Sequence, residues 1–140
     1  MAYNFGMETF AERVARSKTR IVRQVFPHDA NPIGTLYGGN ALKWMDEIAF
    51  LTATRFSRCQ VVTVSIHQVD FKVPIPEGAI IEMKGEVTRV GRTSATVRVQ
   101  IFIEDFRSGN QRLAIEGHLV MVAVNEDKKP IPIMQDGQQD

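Results

Sequence analysis

The segment GNALKWMDEIAFLTATRF (residues 39–56) limits the folds open to this chain more than any other. Its spacing predicts a helix on which Ala41, Leu42, Trp44, Met45, Ile48, Ala49, Phe50, Leu51 and Ala53 cover most of the circumference. A helix that is apolar nearly all round must be covered on more than one side. The rest of the sequence offers strands to do it.

Downstream of the helix the period changes to two. Residues 60–71 (QVVTVSIHQVDF) are rich in β-branched side chains. In 80–90, Ile81, Met83 and Val87 alternate with Glu82, Lys84, Glu86 and Thr88. In 94–104, Val97, Val99, Ile101 and Ile103 alternate with Thr96, Arg98, Gln100 and Glu104. Residues 112–125 form a fourth run. Alternation of this kind means antiparallel strands with one face on a core. VGRT (90–93) and RSGN (107–110) read as the hairpin connections. Upstream, Met7, Phe10, Ala11 and Val14 predict a short amphipathic helix, TRIVRQVF (19–26) a strand, and PHDANPIG (27–34) a loop. The expected class is α+β, one antiparallel sheet wrapped around one long helix. Such a sheet leaves exposed edges, which dimerisation edge to edge would cover.

At 140 residues the chain is expected to be one domain, and a formal net charge of +1 gives no global attraction to nucleic acid or anionic membrane. One cysteine, Cys59, rules out an internal disulfide, and three histidines (28, 67, 118) lack the spacing of a metal site. There is neither a secretory signal nor an apolar run long enough for a membrane span, so a soluble, cytoplasmic protein is expected.

Two acids interrupt the apolar helix. Glu47 lies four residues after Lys43, where an ion pair within the helix is available. Asp46 looks along the helix towards Lys43, Leu42 and Gly39, and is flanked by Trp44, Met45, Ala49 and Phe50. An ionised carboxylate is costly to bury alone, so Asp46 should be well hydrogen-bonded or face a cleft as an acid or base. Gly38 and Gly39 open the same helix. They can serve merely as a tight turn, or they can let a ligand carbonyl reach the unpaired N–H groups of a terminus that carries partial positive charge. Asn31 fits either loop geometry or an amide donor to substrate.

Taken together, Asp-x-Asn at 29–31, Gly34, Tyr-Gly-Gly at 37–39, Met-Asp-Glu at 45–47 and the Val-Val-Thr strand at 61–63 resemble the acyl-CoA thioesterases of the hotdog fold. The resemblance is to the branch containing bacterial broad-range and brain-type acyl-CoA hydrolases, and covers roughly residues 19–133. It implies a hotdog domain at 19–133, preceded by a helical segment at 1–18 and followed by a polar tail at 134–140. It also implies dimers with a continuous sheet, often assembled further as dimers of dimers or trimers of dimers. Asp46 takes the position of the family's catalytic aspartate. Asn31 matches its partner asparagine, reaching the site from the other subunit, and Gly38 and Gly39 match the carbonyl-polarising donors. The hairpin residues Arg89, Arg92, Thr93 and Ser94, with Lys72 as a lesser candidate, are expected along the coenzyme A nucleotide. The implied substrate is an acyl-CoA; no cofactor and no metal is expected. A non-catalytic acyl-CoA-binding sensor is the alternative. A hydratase fits less well, because residues 34–47 contain no histidine.

Overall fold

The computed structural model describes residues 8–134. Its elements are α1 (Phe10–Ser17), β1 (Thr19–Gln24), a 3-10 turn (Pro27–Asp29), α2 (Gly38–Ser57), β2 (Gln60–Phe71), β3 (Ile80–Val90), β4 (Ser94–Glu104) and β5 (Gln111–Val124). All five strands join one sheet in the order β1-β3-β4-β5-β2, and every neighbouring pair is antiparallel. β2, which follows α2 in sequence, therefore crosses to the far edge beside β5.

The alternation sorts the sheet as expected. Ala95, Val97, Val99 and Ile101 of β4 are buried towards α2, while Thr96, Arg98 and Gln100 line the opposite, outer face. Ala41, Met45, Ile48, Ala49, Ala53 and Phe56 of α2 are fully buried against this inner face. Two glycines set how closely the helix sits. A Cβ at Gly85 would lie 2.4 Å from Thr52 Oγ1, and one at Gly117 would lie 2.7 Å from Met45 Cε. At Gly85 only a residue without a side chain admits the helix at that distance, whereas at Gly117 the atom met is the flexible end of Met45.

The sheet does not cover α2 completely. Phe50 and Leu51 keep 45% and 41% exposure, so part of the apolar circumference faces outward. The edge strand β2 likewise exposes Val62, Val64, Ile66 and Phe71.

α1 opens with a reciprocal cap: Thr9 Oγ1 accepts from Glu12 N–H, and Glu12 Oε1 accepts from Thr9 N–H. Its buried face differs from the one the sequence suggests. Ala11 is exposed, whereas Arg13 is buried, with its guanidinium 5.2 Å from the centre of the Phe56 ring. The reason is the partner: α1 packs on the end of α2, where an aromatic face accepts a cation as well as an alkyl group. Met7 lies outside the described residues. Of the expected tail, only Met134 is described; it is buried, and Ile133 N–H donates to Arg92 O.

Glu82 is buried, at 2% exposure on the outer face. Gln111 donates to one of its oxygens and Arg20 to the other. The Gln111 hydrogen bond, helped by the nearby Arg20 and Lys84 charges and opposed by burial, holds its carboxyl below the usual glutamate value. A depressed folded value stabilises the fold above the unfolded value, and that contribution disappears as pH falls through the folded one. Urea midpoints measured from neutral pH into the acid range should thus fall less steeply for Glu82→Gln than for wild type.

Candidate active site

Asp46 lies on the flank of α2, half-buried, with Met45 turned into the core beside it. Thr63 of β2 donates its hydroxyl to Asp46 Oδ1 at 2.5 Å. Among the described residues the Asp46 carboxylate has no other hydrogen-bond donor, so Thr63 alone orients it. The sequence reading missed Thr63 as a site residue, although a signal existed. Thr63 is in phase with buried Val61, a polar group on the inward face of its strand. Glu47 is an ordinary surface acid: it is exposed and faces Arg23 Nη2 at 3.9 Å, not Lys43 as the helical spacing allowed.

The start of α2 is open. Tyr37 occupies the N-cap position without a side-chain hydrogen bond, and Gly38 and Gly39 are exposed. Neither glycine has a positive φ. A Cβ would meet nothing within 4 Å at Gly39, and at Gly38 only the Phe71 ring at an ordinary 3.7 Å. The chain's own turn therefore does not require glycine here. What the pair provides is bare backbone at a helix terminus whose first N–H groups lack intrahelical acceptors.

Asn31 is tied to that terminus. Its Oδ1 accepts from the N–H groups of Ile33 (3.1 Å) and Thr35 (3.0 Å), and its Nδ2 donates to Thr35 Oγ1 (2.8 Å). Tyr37 N–H and Asn40 Nδ2 both donate to Asp29 O, which fastens the loop to the first turn of α2. Asn31 thus performs the turn chemistry read from sequence, and keeps one amide N–H for another acceptor.

Asp46 does not share one protomer's site with these groups. Seven or eight residues separate it from Gly39 and Gly38, which at 1.5 Å per residue is about 10–12 Å along the axis. One thioester carbonyl cannot touch both. The fold instead sorts the groups into two sets. Asn31, Gly38 and Gly39 stand at the helix start beside Phe71, the last residue of β2; Asp46 and Thr63 stand farther along.

The remaining candidates separate likewise. Arg89, Arg92, Thr93 and Ser94 gather at the β3–β4 connection. Gly91 N–H donates to Ser94 O, and Ala123 N–H donates to Thr93 O. Lys72 follows β2 at its opposite end, its N–H donating to Ala114 O. In one protomer it lies the length of β2 away from the hairpin. His67 and His118 are cross-strand partners, because β2 shifts register between Thr63 and Ser65. No group of three or more His, Cys, Asp or Glu among the described residues is placed to hold a metal, and no helix there is long and apolar enough to cross a membrane.

The thioesterase superfamily profile matches residues 33–109. An acyl-CoA thioester hydrolase of Bacillus subtilis, itself uncharacterised, is 36% identical over 128 residues, 91% of this chain and 74% of its own. The acyl-CoA hydrolase of Staphylococcus aureus, solved with butyryl coenzyme A, coenzyme A and coenzyme A disulfide, superposes with a TM-score of 0.83. It is 39% identical, over 85% of this chain and 73% of its own. A hexameric acyl-CoA thioesterase in its apo form gives 0.81 at 44% identity, over 85% and 76%. The S. aureus enzyme has also been solved with alanine at one asparagine, one aspartate and one threonine. Those three positions are separated by the same intervals as Asn31, Asp46 and Thr63 here.

Proposed function

The chain belongs to the thioesterase superfamily, and from that premise we propose that it hydrolyses acyl-CoA thioesters in a site built by two copies of itself. The observation that carries this reading is the pairing of a Thr63-held carboxylate with an uncapped glycine terminus too far along the same helix to serve the same carbonyl. Acyl transfer needs a base or nucleophile and an oxyanion donor within reach of one carbon. A second copy resolves the distance.

The unpaired, apolar edge of β2 is the natural joining surface. An antiparallel two-fold pairing centred on His67 of β2 sets Thr63 of one protomer opposite Phe71 of the other. Asp46 and Thr63 of one copy then face the Asn31–Gly38–Gly39 cluster of its partner. The same symmetry brings the Lys72 end of one protomer towards the hairpin end of the other, so that Arg89, Arg92, Thr93 and Ser94 can lie along the nucleotide. Arginines and turn N–H groups suit its phosphates.

In this arrangement the thioester oxygen rests at the helix terminus, whose N–H groups stabilise the developing oxyanion. Asn31 donates its remaining amide proton to the carbonyl or to the attacking water. Asp46 either takes a proton from that water or adds directly to the carbonyl to give a mixed anhydride that water then cleaves. Both routes expel the coenzyme A thiol. No cofactor takes part, coenzyme A being a portion of the substrate.

Thiol release from a series of acyl-CoAs, short to long, tests the reading directly. Saturable hydrolysis of at least one member is expected. Binding of every member with no release would overturn the enzyme and leave a sensor. Thr63→Val removes the hydrogen bond that orients the acid, and is expected to lower kcat roughly tenfold with KM little changed, from the worth of one charge-assisted hydrogen bond. An equal effect on KM would place Thr63 in substrate binding instead.

A further inference from the structure

We propose that the outer face of the sheet, on the side away from α2, carries a second ligand site: a cleft for a small phosphate-bearing dianion, built by Lys18, Arg20, Lys84 and Arg98. The cleft has a volume of about 410 Å³ and runs across β1, β3 and β4. Arg20, Lys84 and Arg98 come from the outward positions of three adjacent strands, so the sheet itself fixes their spacing, and Lys18 stands just before the first of them.

Charge count and register point to an anion. Arg20 and Lys84 are direct cross-strand partners. Like charges at that position have Cβ atoms about 4.5–5.5 Å apart and destabilise a sheet unless something neutralises them. The carboxylates nearby fall short. Glu86 is shared between Lys18, at 3.3 Å, and Arg98, at 2.8 Å. Glu82 is sunk beneath Arg20 and engaged by Gln111. Lys84 makes no close ion pair among the described residues; its ammonium lies 4.6 Å from the centre of the Phe102 ring. Four cations face Glu82, Glu86 and, one strand farther out, Glu116, so positive charge remains in excess at the cleft. Arg98 Nε is moreover buried without a hydrogen-bond partner.

The donors remain reachable. The Arg20, Lys18 and Arg98 side chains keep 69%, 55% and 37% of their exposure. Gln100, opposite Lys84, stands at the cleft wall with its amide donating to Glu116 Oε2 at 2.7 Å. A phosphomonoester or diphosphate supplies two or more charges and several acceptor oxygens, which matches forked guanidinium and point-charge ammonium donors together. The site uses none of the residues assigned to thioester hydrolysis, so it stands or falls independently of that activity.

Calorimetric titration of the full chain with inorganic pyrophosphate, at constant ionic strength, tests the site. Saturable binding of one pyrophosphate per chain is expected, weakened about tenfold or more in Lys84→Gln. Lys18→Gln, on the rim, gives a second reading should the first variant fold poorly, and should weaken binding several-fold. Thioester hydrolysis should be unchanged in both. The proposal is overturned by the absence of saturable binding, or by affinity equal to wild type in the folded variants. It is equally overturned if chloride at matched ionic strength competes as well as sulfate does. Loss of self-association in the variants without pyrophosphate binding would also overturn it, and would assign the face to contact between copies.

Discussion

Asp46→Asn is expected to fold normally and to release thiol from acyl-CoA at one-hundredth of the wild-type rate or less, since a positioned base contributes about 10²–10⁴. Asparagine keeps the size of the side chain and can still accept the Thr63 hydrogen bond, so the loss reports the carboxylate and not the packing. The same variant tests the division of the site between copies. Asn31→Ala, alone, is also expected to be strongly impaired. Unfolded together in equal amounts and refolded, the two variants should regain about a quarter of wild-type activity: half of the dimers are mixed, and each mixed dimer holds one site with both native residues. If Asp46 and Asn31 instead served the same protomer, mixing would restore nothing. Continued hydrolysis by Asp46→Asn would remove the acid from the mechanism.

The largest loss of stability is expected from Phe56→Ala, about 3–5 kcal/mol by the cost of large-to-small changes in a packed core. Phe56 is fully buried near the end of α2, with the Phe10 ring edge-on at 6.0 Å and the Arg13 guanidinium over its face. Truncation leaves a cavity and deprives a buried cation of the surface it covers. It also loosens α1, which is further held by Val14 packed on the core and by hydrogen bonds between the ends of the two helices: Arg16 Nη1 donates to Arg55 O, and Arg55 Nη2 donates to Arg16 O. Urea unfolding at one fixed protein concentration measures the change, because association stabilises the folded form by mass action. A loss below about 1 kcal/mol would mean that the region repacks around the gap.

Local pattern was enough for the elements. A period of two over 80–90 and 94–104 and a helical period over 39–56 are properties of neighbouring residues, and the strands and the long helix lie where those periods run. The acid that interrupts the apolar helix was legible for the same reason. Where a local rule depended on its partner, it misled. Arg13 is buried and Ala11 exposed because Phe56, more than forty residues away, determines which face of α1 packs. His67 and His118 meet because β2 shifts register, which no count along one strand can show.

By itself, then, the sequence determined the periodic elements, the α+β class, and the placing of one carboxylate and one bare glycine pair on a single apolar helix. Only the tertiary structure decided that Thr63 holds that carboxylate, that the glycines are not needed by the turn they occupy, and that Lys72 and the hairpin lie at opposite ends of β2. The two helical turns between acid and glycines were already in their sequence spacing; the structure added the exposed apolar edge of β2 that a second copy can join. The physical reason is range. Periodicity and capping act within a few residues, whereas register, strand order and the seating of a helix on Gly85 follow from contacts between segments far apart in the chain.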